Sequence, residues 1–120
     1  VRPDFMVLAY PVITFSKEYT HQGSVWNLIG KMPTQAQIDY FSNELQVTPD
    51  TPPTFLMQAG DDGAVPVANS IMFYQALQKN KVKTEMHLFQ AGGHGFGLIN
   101  PTSKDLWFHW CANWLTANGF

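Results

Sequence analysis

Two short loops of this sequence carry side chains that could move protons during hydrolysis. Residues 58–66, QAGDDGAVP, contain the adjacent acids Asp61 and Asp62, and residues 91–96, AGGHGF, place His94 among glycines. In a Ser-His-Asp triad the aspartate orients the histidine, and the histidine transfers protons. The two loops therefore predict two of the three groups of a nucleophilic hydrolase.

The third group, the nucleophile, is not evident. No G-x-S-x-G turn occurs in the 120 residues. Ser24 and Ser70 are the serines nearest to the motif regions, but Ser24 follows no strand directly and Ser70 lies in a predicted helix. We expect neither to be the nucleophile.

The choice between the two acids depends on the local chain direction. Asp62 is favoured as the orienting acid because it stands three residues before Val65 and Pro66, at the turn from strand to helix, and Asp61 is the alternative. Both acids could instead be solvated turn residues or helix caps, and His94 alone could be a structural histidine. The presence of both loops together favours the catalytic interpretation.

No metal or cofactor is expected. A zinc site needs three or four converging ligands, and neither H-E-x-x-H nor C-x-x-C spacing is present. His21, His87 and His109 are interpreted as structural side chains.

The elements that must position the two loops form an α/β pattern. Short apolar runs with turn residues at their ends predict strands at 5–10, 54–59 and 84–89, the last with more polar alternation typical of a sheet edge. Because helices separate the strands, we expect about three parallel strands with right-handed crossovers and flanking helices, in an incomplete sheet. Both loops then follow strands at the carboxyl edge, where open α/β sheets bind ligands.

Three helices are predicted between and after these strands. Helical spacing of apolar residues indicates helices over 67–79 and 104–117, and Thr34 with Gln37 forms a capping pair for a helix over 35–45. Residues 16–50 are a long excursion between the first two strands. We expect this insertion to act as a lid.

Composition bounds the classes of protein to consider. Hydrophobic residues make up 45% and charged residues 13% of the chain, which indicates a globular domain rather than disorder. The net charge is −2 and the seven basic residues are scattered, so neither nucleic acid nor an anionic membrane is an expected partner. Cys111 has no second cysteine to pair with and is expected to be a buried thiol. Localisation, cytoplasmic or secreted, is left open, because a targeting segment could precede Val1.

Several strings resemble a known family. Residues 52–67, PPTFLMQAGDDGAVPV, and 92–97, GGHGFG, together with RPDF at 2–5 and YPVI at 10–13, resemble the C-terminal half of α/β-hydrolase esterases. The branch with the greatest resemblance is the bacterial acetyl-xylan and feruloyl-esterase-like group, related to dienelactone hydrolase and to the prolyl oligopeptidase catalytic domain. Residues 1–120 are accordingly interpreted as the C-terminal portion of a single α/β-hydrolase domain.

The resemblance implies an activity and roles. Asp62 would be the triad acid and His94 the general base of a carboxylic ester hydrolase that acts on small esters or acylated carbohydrates. The serine of this family precedes the acid and the base in the chain, so we expect it upstream of Val1. Loss of a triad member costs about 10⁴ to 10⁶ in rate, so the chain alone should be nearly inactive. A prolyl-oligopeptidase-type serine peptidase and a non-catalytic hydrolase-like remnant are the alternatives.

Two aromatic residues are the candidate substrate contacts. Trp26 in the insertion and Phe96 beside His94 could line an acyl or sugar pocket, as could Tyr40 and Phe41, although aromatic residues of an insertion often only pack a lid.

The strand at 5–10 should be central in a complete sheet, and its open edge should pair either with the missing N-terminal half of the domain or with a second copy.

Overall fold

The structure, a computed structural model, describes residues 2–120 of the chain. Its elements, in order, are β1 (Met6–Ala9), α1 (Gln22–Ile29), α2 (Gln35–Phe41), a 3₁₀ turn (Asn43–Leu45), β2 (Thr54–Ala59), α3 (Ala68–Lys79), β3 (Thr84–Phe89) and α4 (Trp107–Ala117). The three predicted strands are all present. The α/β class is therefore confirmed.

The strands form one parallel sheet in the order β1-β2-β3. Leu56 of β2 lies level with Leu8 of β1 and Met86 of β3, so β2 is paired on both sides. Every residue of β2 is buried, as its continuous apolar run predicts. The strand β3 lies at an edge of this sheet, as expected from its polar alternation.

The strand β1 is less buried than its apolar sequence predicts. It pairs with β2 alone among residues 2–120, and Val7 is 37% exposed. The strand β1 therefore has one edge without a strand partner among residues 2–120.

Two apolar cores cover the two faces of the sheet. Alternate residues of β2 point to opposite faces, so Phe55 and Met57 pack in one core while Leu56 packs in the other. The first core includes Phe89 and the α4 residues Trp107, Cys111 and Trp114, and the second includes Ile13, Val82 and the α3 residues Phe73 and Leu77. The sheet is thus sandwiched between α4 and α3, and Cys111 is buried as expected.

Helix boundaries differ from the sequence-based ranges. The helix α3 begins at Ala68 rather than 67, and α4 begins at Trp107 rather than 104. The helix expected over 35–45 has the predicted capping box of Thr34 and Gln37 but ends at Phe41, and a 3₁₀ turn follows. The physical reason is Ser42, which has an extended backbone and whose hydroxyl donates to the Ile38 carbonyl and accepts from the Phe15 N–H.

The insertion contains one helix that was not predicted, α1, capped by His21. Asn69 of α3 fastens the start of the insertion. Its side-chain oxygen accepts from the N–H groups of Ile13 and Thr14, and its nitrogen donates to the carbonyls of Tyr19 and Pro66. That the insertion acts as a lid stays a prediction.

No helix within residues 2–120 is both long and apolar enough to cross a bilayer.

Candidate active site

The two loops predicted to carry the chemistry meet at the carboxyl edge of the sheet. Ala59, the last residue of β2, lies level with Phe89, the last residue of β3. Gly60 then donates its N–H to the Phe89 carbonyl at 2.8 Å. Parallel pairing up to the last residue therefore brings the acid loop, residues 60–66, beside the His loop, residues 90–97.

The structure brings Asp62 and His94 together. The Nδ1 atom of His94 lies 2.9 Å from Oδ2 of Asp62. The Asp62 side chain is fully buried, whereas that of His94 is 36% exposed. One member of the pair is thus fixed in the protein interior and the other is accessible to a reactant.

The Asp62 carboxylate accepts four hydrogen bonds. Its Oδ1 accepts from the N–H groups of Ala64 and Val65 at 3.0 and 2.9 Å. Its Oδ2 is 3.0 Å from Nε2 of Gln58 as well as 2.9 Å from the imidazole. Every lone-pair direction of the carboxylate is therefore occupied by a donor.

These donors keep Asp62 ionised. Burial alone would raise the pKa of the carboxyl, but the hydrogen bonds from Val65, His94, Gln58 and Ala64 outweigh burial and hold the pKa below its ordinary value. An ionised carboxylate can only accept, so Nδ1 of neutral His94 must carry the proton. The lone pair of neutral His94 is then on Nε2, which has no hydrogen-bond partner among residues 2–120.

Asp61 makes a different contact from its neighbour. It is exposed, and its Oδ1 accepts from the backbone N–H of Gly93 at 2.8 Å. It therefore holds the chain next to His94 rather than the imidazole itself. Of the two acids, only Asp62 contacts the imidazole.

The His loop has no regular secondary structure between β3 and α4 and is held at a few points. The Ala91 carbonyl accepts from Asn100 Nδ2 at 2.7 Å and from Thr102 Oγ1 at 2.8 Å. Gly92, at φ 151°, passes so close to the buried Asn100 side chain that a Cβ would lie 2.5 Å from Nδ2. Glycine is thus required at this position for a steric reason.

An aromatic pair lies beside the imidazole. The Tyr10 ring centroid is 4.8 Å from that of His94 and 5.5 Å from that of Phe96. Tyr10 follows β1 and has a φ of 40°, an unfavourable backbone angle for a residue with a side chain. Of the two predicted substrate contacts, Phe96 therefore lies near His94.

Trp26 lies elsewhere. It is 47% exposed on α1 and borders a groove of about 460 Å³ within the insertion, together with Phe15, Lys31, Met32 and Ile38. Tyr40 and Phe41 border a neighbouring groove of about 870 Å³. Neither groove is lined by Asp62 or His94.

The remaining candidates have structural contacts. His87 pairs with Glu85 at 2.7 Å and stacks on Trp110, and His21 caps α1 while contacting Ser24 Oγ at 3.0 Å. Ser70 is fully buried, with its hydroxyl 2.6 Å from Gln58 Oε1. Within residues 2–120 no group of three or more His, Cys, Asp or Glu side chains could hold a metal ion.

Sequence reasoning missed Gln58 and Tyr10. A polar residue inside an otherwise apolar buried strand was the available signal for Gln58, since a buried amide requires partners. Tyr10 has no comparable signal, because its neighbour His94 is 84 residues away along the chain.

Comparison with known proteins identifies relatives that match most of this chain. The sequence model of the prolyl oligopeptidase family matches residues 2–118. Endo-1,4-beta-xylanase B of Butyrivibrio fibrisolvens is 44% identical over 106 residues, which are 88% of this chain and 16% of that protein. Acetylxylan esterase of Xylanibacter ruminicola is 35% identical over 101 residues, 81% of this chain and 21% of that protein.

Solved structures agree with these sequence matches. An acetyl ester-xyloside bifunctional hydrolase from Caldicellulosiruptor lactoaceticus superposes with a TM-score of 0.91 at 41% identity, over 99% of this chain and 44% of that one. The carboxylesterase Cest-2923 from Lactobacillus plantarum superposes with a TM-score of 0.78 at 28% identity, over 98% and 46% of the two chains. The chain spans less than half the length of each of these four relatives. With its open parallel sheet and flanking helices, the chain belongs to the prolyl oligopeptidase family and has the fold of the C-terminal part of an α/β-hydrolase.

Proposed function

We propose that this chain supplies the acid and the base of a serine ester hydrolase, with Asp62 as the orienting acid and His94 as the general base. The observation that carries the proposal is the 2.9 Å contact between a fully buried, ionised carboxylate and Nδ1 of a partly exposed imidazole. This arrangement leaves Nε2 free to exchange protons.

The nucleophile is a serine outside these 120 residues. Nε2 of His94 takes the serine proton as the serine oxygen attacks the ester carbonyl, and returns it to the departing alcohol oxygen as the acyl-enzyme forms. In the second half of the reaction, Nε2 takes a proton from the attacking water and returns it to the serine as the carboxylic acid leaves. The ionised Asp62 stabilises the imidazolium in both halves.

The substrate class is a small ester or an acylated carbohydrate. Two of the relatives are named for acetyl esters, the acetylxylan esterase and the acetyl ester-xyloside bifunctional hydrolase, and this favours an acetyl-xylan esterase-like activity. Phe96 and Tyr10 offer an apolar surface for a short acyl group beside His94, and exposed Trp26 would contact a carbohydrate only if the substrate reached the insertion. A serine peptidase is the second candidate, because the matching family is that of prolyl oligopeptidase.

The open edge of β1 is where the rest of the domain would attach. The strand β1 is apolar and pairs on one side only, and its residue Val7 is 37% exposed. We propose that a strand of the N-terminal part of the same domain pairs with this edge. Self-association of the chain is the alternative occupant.

A hybrid hydrolase tests the proposed function. In it, this chain replaces the matched region of the Caldicellulosiruptor lactoaceticus hydrolase, whose remaining segment is expected to supply the serine. We expect acetate release from acetylated xylan, turnover of 4-nitrophenyl acetate, and one covalent adduct with a serine-directed phosphonate by intact mass. The 120-residue chain alone should show no turnover and no adduct.

The control is His94→Ala in the same hybrid, with folding checked by circular dichroism. Loss of both turnover and adduct formation is the expected result. A folded hybrid that cleaves peptides and not esters would identify a peptidase, and a folded hybrid without turnover or adduct would identify a non-catalytic remnant.

The two proposed substrate contacts can be separated by substrate size. Phe96→Ala should weaken turnover of both 4-nitrophenyl acetate and acetylated xylan, because Phe96 lies beside the His94 site. Trp26→Ala should raise KM for acetylated xylan alone. Equal behaviour of the Trp26 variant and the parent on both substrates would exclude Trp26 as a contact.

A further inference from the structure

A line of polar side chains continues behind the acid into the protein interior. From His94 Nδ1 it passes to Asp62 Oδ2 at 2.9 Å, and from there to Gln58 Nε2 at 3.0 Å. From Gln58 Oε1 it reaches Ser70 Oγ at 2.6 Å. Gln58 and Ser70 are both fully buried, so their polar groups make no contact with solvent.

Gln58 has a single possible amide orientation. Its Nε2 faces two acceptors, the Asp62 carboxylate and the Val65 carbonyl at 2.7 Å. Rotation of the amide by 180° would place its oxygen against both acceptors, which is repulsive. The side chain therefore donates to the same carboxylate oxygen that the imidazole uses.

Ser70 holds this orientation from the other side. Its hydroxyl lies on α3 and donates to Oε1 of Gln58 across the interface between β2 and α3. A serine hydroxyl so buried and so engaged is unavailable as a nucleophile. Its contact does reinforce the donor direction of the Gln58 amide.

From this chain of contacts we propose that Gln58 and Ser70 are positioning residues, which fix the Asp62 carboxylate and through it the His94 ring. The inference rests on the proposed function, since it concerns the same proton transfer. A buried carboxylate that lost the Gln58 donor would keep its two backbone donors on Oδ1 but would have only the imidazole on Oδ2. Oδ2 could then shift relative to the ring.

The test compares Gln58→Leu and Ser70→Ala in the hybrid hydrolase, with 4-nitrophenyl acetate as substrate. Replacing a residue that hydrogen-bonds a metal ligand typically lowers activity by about 10- to 100-fold, and by analogy we expect kcat to fall by that factor in Gln58→Leu and by less in Ser70→Ala. KM should stay unchanged. Titration of the Asp62 carboxyl by ¹³C NMR should show a raised pKa in Gln58→Leu, because a hydrogen bond that lowers it is lost.

Ser42→Ala is the matched control. Ser42 is also a buried serine, and its hydroxyl donates to the Ile38 carbonyl and accepts from the Phe15 N–H, away from the acid loop. Its loss should lower the melting temperature and leave kcat and the Asp62 pKa unchanged. Ser70→Ala removes only one oxygen, so it remains informative if Gln58→Leu fails to fold.

A double variant tests whether Ser70 acts through Gln58. If Ser70 acts through Gln58, adding Ser70→Ala to Gln58→Leu should lower kcat no further, whereas independent effects would multiply. Gln58→Leu with the kcat and Asp62 pKa of the parent would overturn the role of Gln58, and Ser70→Ala with the kcat of the parent would overturn that of Ser70. In that case His94→Ala, if still inactive, would leave the proposed function standing, and an active His94→Ala would overturn the function itself.

Discussion

The acid loop and the His loop lie side by side at one sheet edge but are built in opposite ways. Asp62 is fully buried and receives four hydrogen bonds, two of them from the backbone of its own loop. His94 is partly exposed, in a loop held through the contacts of Ala91, Gly93 and Gly97. Asp62 is fixed by its own strand and turn, whereas the position of His94 depends on other parts of the chain.

This difference matches the tasks that we propose for the two residues. An orienting carboxylate must keep one position throughout the reaction, and burial with multiple donors achieves this. A base that exchanges protons with the oxygens of a serine, an alcohol and a water molecule must remain accessible. Substitution of Asp62 should therefore act on its charge and hydrogen bonds, and substitutions that shift the His loop should act on the position of His94.

The largest expected effect is that of Asp62→Asn in the hybrid hydrolase. All four neighbours of the Asp62 carboxylate are hydrogen-bond donors. In either orientation of the new amide side chain, its NH₂ group would therefore face two donors, either the Ala64 and Val65 N–H groups or Gln58 Nε2 and His94 Nδ1. By analogy with the aspartate of a serine protease triad, we expect kcat to fall by about 10⁴-fold. Steady-state kinetics on 4-nitrophenyl acetate measures it, and a fall of less than tenfold would contradict the role of Asp62.

Gly92→Ala should have the next largest effect, because it moves the base without touching its charge. The new Cβ would lie 2.5 Å from Asn100 Nδ2, which itself holds the Ala91 carbonyl, so the loop must shift. A displacement of about 1 Å can cost on the order of 10²-fold in rate, and we expect a fall in kcat of that size.

Gly63→Ala in the acid loop is the matched control for Gly92→Ala. A Cβ at Gly63 meets no atom within 4 Å, so kcat should be unchanged. Equal losses in the two glycine variants would mean that the His loop is no more sensitive to position than the acid loop.

Asp61 offers a smaller effect with an internal rescue. Asp61→Ala removes the acceptor for the Gly93 N–H, and an exposed hydrogen bond of this kind contributes about 1 kcal/mol, or roughly fivefold in kcat. Asp61→Asn keeps an oxygen acceptor and should recover most of the loss. If Asn and Ala behaved alike, the charge of Asp61 rather than its contact with Gly93 would be the relevant property.

The smallest expected effect concerns stability and appears only at acidic pH. The pKa of Asp62 is lowered in the folded chain, so its contribution to the free energy of unfolding is present above the pKa of an unfolded aspartate, about 3.9, and is lost as the pH falls through the lower folded value. Urea unfolding of the hybrid between pH 6 and 3 should show this loss in the parent. Asp62→Asn should lack that component of the pH dependence, and identical slopes would contradict the lowered pKa.

The sequence predicted the three strands, the α/β order and the pairing of the acid and His loops, because these depend on apolar runs, turn residues and chain order. It did not predict α1 or the end of α2 at Phe41, where a tertiary bond between Ser42 and Phe15 overrides helical continuation. The separate role of Asp61 and the place of Tyr10 depend on contacts across 32 and 84 residues of chain, which local patterns do not encode.

Asn69 gives the insertion a defined point of attachment. One amide on α3 binds the backbone at Ile13, Thr14, Tyr19 and Pro66, so the entry to residues 16–50 is fixed by a side chain that belongs to neither the acid loop nor the His loop. The contact between Asp62 and His94 uses no residue of 16–50, so exposed positions of the insertion can be changed without altering either partner of that contact. The fold thus provides a fixed anchor from which directed evolution could vary the exposed surface of the insertion separately from the Asp62–His94 pair.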